Sequence, residues 1–370
     1  MRRMIYPWPL LIGLLTLCAC SGNSSGAPAP GTTVASPYGI EVIVRTGDNF
    51  ATPDDVQAFV DLAAQNGVAV VNLLVKQDED GSIQSGQVFY ASALAPSAPG
   101  YAHFDVLQTM LSAAHARHIK VRAWMPQFHD QVAARKNSTW QMMALNQGVV
   151  APYTGSHAKE YFVNPLLPAV QAYELSLIQE VTRNYAVDGI MLDWLRFDNF
   201  NMDLSADTRA RYQSSHGLDP LTIDFSQDSA ARQAWNEFRT DGIAAYAQQV
   251  RSTVPAALSL GVYILPPEFV EVAQDAAKFN RSVDTLAPMC YFVDWGFSVD
   301  WLWSSCLSST AQKAGAAQIA PAMDSALTDA QYQQIFSHMR AQFPQIRTLA
   351  WFHHGRWDAA RLQRIAQLSQ

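Results

Sequence analysis

Short apolar segments alternate with amphipathic segments along most of this chain, and this alternation limits the possible fold more than any other feature. Most of the apolar segments are too short for helices but long enough for buried strands. They are Ile40–Val44, Ala69–Leu74, Lys120–Trp124, Gly189–Leu192, Leu258–Ile264, Thr285–Phe292, Ala316–Ala320 and Thr348–Phe352. Apolar residues recur with helical spacing between most of them, for example in 56–66, 104–118, 235–254 and 329–343. The pattern predicts an α/β fold, a single-domain (β/α)₈ TIM barrel.

An open, doubly wound sheet is the alternative fold. That fold commonly places a glycine-rich turn after the first strand, whereas Arg45-Thr46-Gly47-Asp48 offers one glycine. No P-loop is present either. The sequence therefore implies no nucleotide, and we expect no cofactor.

The composition is that of a globular enzyme. The chain has 370 residues, of which 49% are hydrophobic and 15% charged, and its formal net charge is -7. Its 25 Lys and Arg residues are scattered along the chain and form no basic stripe, so a nucleic-acid partner is not expected.

The N-terminus has the features of a lipoprotein signal peptide, which we assign to residues 1–20. Arg2 and Arg3 precede an apolar run, and Leu17-Cys18-Ala19-Cys20 resembles the bacterial lipobox. Cys20 is then the expected lipidation site and membrane anchor, and Ser21 favours the outer membrane. An ordinary secretory signal peptide is the alternative. Residues 21–36 are rich in Gly, Ser, Pro and Ala and are expected to form a flexible tether before a domain spanning 37–370.

The segment Tyr185–Asp198 contains the strongest candidate for a catalytic residue. Asp193 directly follows the buried strand that begins at Gly189, at the end where barrel enzymes place their active sites. A helix-capping role is the alternative. The nearby Trp194, Arg196 and Asp198 favour a site.

Two cysteines, Cys290 and Cys306, remain in the expected domain. In an oxidising envelope they can form a disulfide, but two buried thiols are an equal alternative. They lack the spacing of a metal-ligand pair, and no metal is expected.

Several short motifs stand in a fixed order. They are Phe89–Ser92, Ala114–Arg117, Val121–Trp124, Asn164-Pro165, Tyr185 with Val187–Ile190 and Asp193, Trp235–Arg239, and Ala287–Tyr291. Over roughly residues 38 to 355 the chain resembles the glycosyl-hydrolase-like family ten of bacterial glycosidases. More distantly it is similar to the hydrolase domain of poly-N-acetylglucosamine-processing lipoproteins. The resemblance implies a barrel that cleaves a polysaccharide. One departure is Trp194, where family members often have a second Asp.

Glycoside hydrolysis usually needs a second carboxyl group besides Asp193. Three strand ends offer candidates, which we rank Asp294, then Glu268, then Asp324. Asp294 lies among aromatic residues that are expected to desolvate it and raise its pKa. Glu268 follows two prolines that fix its approach. Asp324 ranks last, because capping of the helix near Thr328 or exposure to solvent would also explain it.

Aromatic residues at strand ends indicate a sugar ligand, because flat rings stack on pyranose faces. The candidates are Tyr90, Trp124, Trp194, Tyr263, Tyr291, Trp295, Trp351 and Trp357, and we expect about half to line a cleft. Asn164 and Arg196 are candidate ligands for hydroxyl or carboxylate groups, although Arg196 is equally suited to brace Asp198.

Histidines leave open a different chemistry. His129-Asp130 and His353-His354 follow two strands and resemble the ligand supply of a metal-dependent deacetylase. Adjacent residues on a strand point in opposite directions, so at most one of His353 and His354 faces the site. We assign His353 to sugar binding, with a hydrogen bond to sugar hydroxyls or to a catalytic carboxylate as its role.

The resulting hypothesis is a lipid-anchored glycosidase of the bacterial envelope that acts on a polysaccharide. A catalytically silent glycan-binding barrel for polysaccharide export and a metal-dependent deacetylase are the alternatives. Sugar identity, stereochemical outcome, endo or exo cleavage and oligomeric state are left open by the sequence.

Overall fold

The computed structural model describes residues 38–155 and 161–369. The predicted signal peptide, the tether and Cys20 lie outside the described residues, so those predictions stand as they were made. None of the described helices is long and apolar enough to cross a membrane.

Eleven strands are present in the described part of the chain. They are β1 Gly39–Val44, β2 Val68–Leu74, β3 Lys120–Pro126, β4 Met143–Asn146, β5 Val149–Pro152, β6 Gly189–Asp193, β7 Ser259–Ile264, β8 Thr285–Pro288, β9 Gln318–Ile319, β10 Ala322–Asp324 and β11 Thr348–Phe352. Nine of them form one parallel sheet in the order β10-β11-β1-β2-β3-β6-β7-β8-β9. The other two, β4 and β5, pair as an antiparallel hairpin.

The sheet closes because β9 and β10 are two halves of one barrel position. Strand β8 pairs with β9, whereas β10 pairs with β11. Between the halves lies Pro321, which has no N–H to give to a ladder. A parallel bridge joins Met289 to Ala322, and the Cys290 N–H donates to the Ala322 carbonyl at 2.8 Å. The predicted (β/α)₈ barrel is confirmed.

Helices follow most strands and cover the outside of the barrel. The predicted helical segments correspond to α2, α3, α7 and α11 within a few residues. The helices are α1 Thr46–Asn49, α2 Pro53–Gln65, α3 Val106–His115, α4 Gln131–Lys136, α5 Pro168–Asn184, α6 Ala206–His216, α7 Ala230–Thr253, α8 Ala276–Phe279, α9 Val299–Trp301, α10 Ser308–Lys313, α11 Asp329–Gln342 and α12 Ala359–Leu368.

The entry into β6 fixes where the strongest candidate residue lies. Asp188 accepts hydrogen bonds from the Val121 N–H at 2.7 Å and from His115 Nε2 at 2.9 Å. A Cβ at Gly189 would lie 2.0 Å from the Ser259 Oγ, so only glycine permits this approach of β6 to β7. All five residues of β6 are buried. The strand thus delivers Asp193 to the mouth of the barrel.

A second, smaller apolar core lies beside the barrel. It consists of Leu204, Tyr212, Ile223 and Trp235, against which Leu145 and Val150 of the hairpin also pack. This core joins α6 and α7 to the segment that follows β6. Helix α7 and the hairpin therefore support the loop that leaves Asp193.

Candidate active site

Asp193 is buried at the barrel mouth with both carboxylate oxygens held. The indole N–H of Trp124 donates to Oδ2 at 2.9 Å, and the Trp194 backbone N–H donates to Oδ1 at 2.7 Å. The residue is 6% exposed. Burial raises the pKa of Asp193, while Arg196 and the two donors act to lower it. The carboxylate is therefore fixed in direction by rigid groups.

Trp194 extends the site from Asp193 in a left-handed backbone conformation, with φ of 48°. Its ring centroid lies 4.5 Å from that of His129, and the Arg196 guanidinium lies 3.8 Å from the ring centroid on its face. Arg196 Nη1 is also 3.8 Å from Asp198 Oδ1. Both roles considered for Arg196, at the site and as a brace for Asp198, are thus compatible with its position.

Asp78, which sequence reasoning missed, lies close to Asp193 and is 1% exposed. Its Oδ2 accepts from Arg45 Nη2 at 2.6 Å, and the same nitrogen lies 2.9 Å from Glu79 Oε1. Burial raises the pKa of Asp78 to about 7, against the lowering effect of Arg45. The available signal was the charged segment Lys76–Asp80 directly after a buried strand.

A pair of carboxyl groups, Asp294 and Asp324, forms another part of the mouth. Asp294 exposes 41% of its side chain and contacts His354 Nε2 at 3.2 Å. Asp324 ends β10 and is 5% exposed. Burial first and the neighbouring Asp294 second raise the pKa of Asp324 to about 7. The desolvation expected at Asp294 is thus found at Asp324.

Aromatic rings connect the acidic groups. The Tyr291 ring lies 5.4 Å from Phe352 and 5.6 Å from Trp295, and Trp295 packs 5.0 Å from Phe269. Burial raises the pKa of Tyr291, and the charges of Asp193 and Asp324 raise it further. Tyr291 therefore lies within electrostatic reach of both carboxyl groups. Together with Trp124, Tyr291 and Trp295 form an aromatic lining beside the acids.

Glu268 is exposed, and its Oε1 accepts hydrogen bonds from Trp301 Nε1 at 2.8 Å and from the Ser305 hydroxyl. Of the two histidines after β11, His354 contacts Asp294. His353, the residue assigned to sugar binding, instead packs its ring 5.8 Å from that of Trp357.

Three residues predicted to bind sugar are instead buried among other side chains of the protein. Tyr90 is 2% exposed and packs 5.7 Å from Tyr185. Asn164 is fully buried, and its amide donates to Asp203 at 2.5 Å and to Thr208 at 2.9 Å. Trp351 is fully buried beneath α11, where it packs against Tyr332 and Phe336.

Among the residues that the structure describes, the histidine after β3 belongs to no group of acids that would hold a cation. His129 stacks on Phe162 at 4.7 Å, and its Nε2 lies 3.1 Å from Asp80 Oδ2. Across residues 38–155 and 161–369, no group of three or more His, Cys, Asp or Glu side chains is placed to hold a metal ion.

Three buried side chains of opposite charge form a triad next to His129. Lys76 Nζ lies 2.8 Å from Asp130 Oδ2 and 2.6 Å from Glu174 Oε2, and all three side chains are almost completely buried. Burial raises the pKa of Glu174 to about 8, although Lys76 acts to lower it. The triad ties β2, α4 and α5 together.

Cys290 and Cys306 form a disulfide with a Cα–Cα distance of 6.0 Å. It links the end of β8 to the π-helical segment Leu302–Leu307 and encloses the loop that carries Asp294 and Trp295. Of the two alternatives for these cysteines, the structure contains the covalent one.

A family model described as glycosyl hydrolase-like 10 matches residues 46–295, which is more than half of the chain. The chain belongs to this family. The resemblance inferred from the motifs is therefore confirmed. Members of a glycosyl hydrolase-like family are expected to carry their chemistry at the barrel mouth, where Asp193 lies.

Curated relatives match over part of their length. An S-layer-related protein of Niallia circulans is 28% identical over 233 residues, covering 55% of this chain and 14% of the relative. The glycosyl hydrolase DigH of Escherichia coli K12 is 30% identical over 102 residues, covering 26% of this chain and 23% of DigH. The chain thus spans less than a quarter of either relative.

Solved structures share the fold of this glycosyl hydrolase-like 10 protein. The glycoside hydrolase domain of PgaB (BpsB) from Bordetella bronchiseptica aligns with a TM-score of 0.71 at 14% identity, covering 89% of this chain and 98% of that domain. Alpha-L-fucosidase isoenzyme 2 from Paenibacillus thiaminolyticus aligns with a TM-score of 0.62 at 16% identity, covering 90% of this chain and 48% of the fucosidase.

Proposed function

We propose that the protein hydrolyses glycosidic bonds in a bacterial envelope or extracellular polysaccharide, with Asp193 as the principal catalytic carboxylate. The observation that carries the proposal is the geometry of Asp193, whose two oxygens are held at a barrel mouth by Trp124 and the Trp194 N–H. A carboxylate fixed in this way is aimed at one point in space, as bond cleavage at an anomeric carbon requires.

The chemistry assigned to Asp193 depends on the sugar. On a sugar without an acetamido group, the carboxylate attacks the anomeric carbon or activates the water that does so. On an N-acetylated sugar, it orients the acetamido group of the substrate, which then attacks in its place. The adjoining rings of Trp124, Tyr291 and Trp295 supply apolar faces for the pyranose rings.

A membrane location is part of the proposal. Lipidation at Cys20 would hold the barrel at the envelope, with residues 21–36 as the tether. The expected result is that Cys20→Ser moves the protein from the membrane fraction to the soluble fraction. Retention of the variant in the membrane fraction would contradict the lipid anchor.

The test of the activity measures reducing-end release by the full chain, purified in detergent, from a panel of bacterial exopolysaccharides and peptidoglycan glycans. Asp193→Asn is expected to lower release by about 10³-fold or more. Asp207→Asn, on the exposed face of α6, is the matched control and should behave as the wild type.

Three outcomes separate the alternatives. Release by the wild type and loss in Asp193→Asn supports the proposed glycosidase. Equal release by both proteins removes Asp193 from the mechanism. Tight glycan binding by both, without release, identifies a glycan-binding barrel instead.

A further inference from the structure

The acidic side chain at the end of β10, Asp324, has an incomplete set of partners. It is 5% exposed, and its Oδ2 has no hydrogen-bond donor among the residues that the structure describes. The neighbouring Asp294 carboxyl group raises the pKa of this carboxyl group, and the Val293 backbone N–H acts to lower it. A buried carboxylate oxygen without a donor is costly.

A single proton shared by Asp324 and Asp294 would remove this cost. Two neighbouring carboxylates repel each other, but a proton on one of them becomes a hydrogen-bond donor to the other. Asp294 exposes 41% of its side chain and is therefore the better hydrated partner. The buried member, Asp324, is consequently the group on which a proton is most stable.

Asp193 has the opposite arrangement. Both of its oxygens accept hydrogen bonds from rigid donors, the Trp124 indole and the Trp194 backbone. A proton on Asp193 would compete with one of these donors. The surroundings of Asp193 therefore favour a carboxylate that accepts hydrogen bonds, whereas those of Asp324 favour a carboxyl group that carries a proton to donate.

Both groups border the same region of the mouth. Asp324 pairs with Phe352 between β10 and β11, and the Phe352 ring lies 6.4 Å from that of Trp124, which donates to Asp193. The remaining groups around Asp324 come from four parts of the fold. They are Asp294 and Tyr291 from the loop after β8, Tyr332 from α11, His354 after β11, and Arg361 of α12, which donates to the adjacent Ser325 carbonyl.

We propose that Asp324 is the second catalytic carboxyl group and donates the proton to the leaving oxygen, with Asp294 as the positioning residue that shares this proton. The inference rests on the proposed glycosidase function. It replaces Asp294 and Glu268 as partners of Asp193 in the proton transfer.

The O–H bond of Asp324 breaks as the proton passes to the glycosidic oxygen, and the bond from that oxygen to the anomeric carbon breaks with the electron pair leaving on oxygen. Water finally adds its oxygen to the anomeric carbon and returns one proton to Asp324. Asp294 keeps the proton on Asp324 between turnovers.

The test uses the full chain and the glycan that the wild type cleaves in the panel. Asp324→Asn should lower kcat by about 10²-fold or more with KM nearly unchanged, since the amide cannot deliver a proton. An aryl glycoside of the same sugar with an acidic phenol as leaving group needs little protonation. The variant should cleave it at a rate within about tenfold of the wild type.

The positioning role of Asp294 has its own readout. The negative charge of Asp294 raises the pKa of Asp324, so Asp294→Asn should move the alkaline limb of kcat/KM to lower pH. Asp207→Asn, on the exposed face of α6, serves as the control and should leave that limb in place.

Each outcome is decisive. If Asp193→Asn abolishes cleavage while Asp324→Asn retains the wild-type kcat and pH profile, the proposed function stands and Asp324 is not the acid. An equal loss of aryl glycoside and glycan cleavage in Asp324→Asn, with correct folding by circular dichroism, also overturns proton donation. If the wild type cleaves no glycan, the proposed function and this inference fail together.

Discussion

At the scale of single residues, Trp124 controls the direction of Asp193. Trp124→Phe keeps a flat ring but removes the N–H that donates to Oδ2. We expect kcat/KM to fall about 10- to 100-fold, because a hydrogen bond to a charged group is worth about 1.5–3 kcal/mol. The pKa of Asp193 should rise, moving the acidic limb of the pH profile to higher pH.

Trp235, in the second core beside the barrel, offers a matched control for Trp124→Phe. Its indole N–H donates to the Phe200 carbonyl at 2.8 Å. Trp235→Phe should therefore lower the free energy of unfolding by about 1 kcal/mol and leave kcat/KM within about twofold of the wild type. Wild-type kcat/KM in Trp124→Phe would remove this tryptophan from the site.

The sequence predicted which residues lie at the ends of strands, but it did not predict which residues of a strand face the inside of the barrel. Asp193 lies at the barrel mouth as expected, because any residue that ends a barrel strand does so. Trp351 is buried under α11, while its neighbour Phe352 packs against Tyr291. Parallel barrel strands are apolar on both faces, so hydrophobicity does not reveal which residue faces inward.

At the scale of elements, the loop after β8 depends on the disulfide. A bridge spanning 16 residues of sequence stabilises the folded state by about 3 kcal/mol. We expect the double substitution of Cys290 and Cys306 by Ser to lower the free energy of unfolding by about 2–4 kcal/mol in chemical denaturation. KM should rise as well, because Tyr291 and Trp295 lie in the enclosed loop.

The reducing agent dithiothreitol provides the control. It should lower the midpoint of denaturation of the wild type and leave that of the double variant unchanged. A wild-type midpoint that is insensitive to full reduction would show that the loop is held by packing alone.

Element boundaries explain why Asp324 ranked last among the candidates. The predicted strand Ala316–Ala320 contains only β9, whereas β10 begins beyond Pro321 at Ala322 and moves the strand end to Asp324. Capping of α11 is performed by Thr328 with Gln331, and Asp324 is free of that role. Because proline cannot donate to a strand ladder, the residues before and after Pro321 pair with different neighbouring strands. A single sequence does not display this pairing.

At the scale of the whole molecule, several buried carboxyl groups set the dependence of stability on pH. Burial raises the pKa of Asp78 and Asp324 to about 7 and that of Glu174 to about 8. In the unfolded chain these groups titrate near pH 4. The folded protein thus binds more protons between these values, so their contribution to stability is greatest below about pH 4 and is lost as the pH rises towards 8.

We therefore expect the free energy of unfolding of the wild type to decrease between pH 5 and pH 8. The free energy of unfolding of Asp324→Asn should decrease less over this range. Asp219→Asn is the contrasting control. The hydrogen bond from Arg209 lowers the pKa of Asp219, so its contribution is present at neutral pH and is lost only as the pH falls below about 4. Equal slopes for the wild type and Asp324→Asn would contradict a raised pKa at Asp324.

The barrel as a whole was predictable because its eight repeats each carry the same local signal. The hairpin β4–β5 and the second core were not, since they arise from a long insertion whose contacts connect residues far apart in sequence.

Trp194 finally matters to anyone who selects this protein for heat resistance. Its left-handed backbone costs about 1–3 kcal/mol in a residue with a side chain, a cost that glycine largely avoids. Trp194→Gly would also remove the half-buried ring that packs against His129 and Arg196 beside Asp193, and deletion of a well-packed tryptophan costs about 3–5 kcal/mol. The lost packing is expected to outweigh the relieved strain, so a screen that scores survival alone should retain this ring and, with it, the surroundings of Asp193.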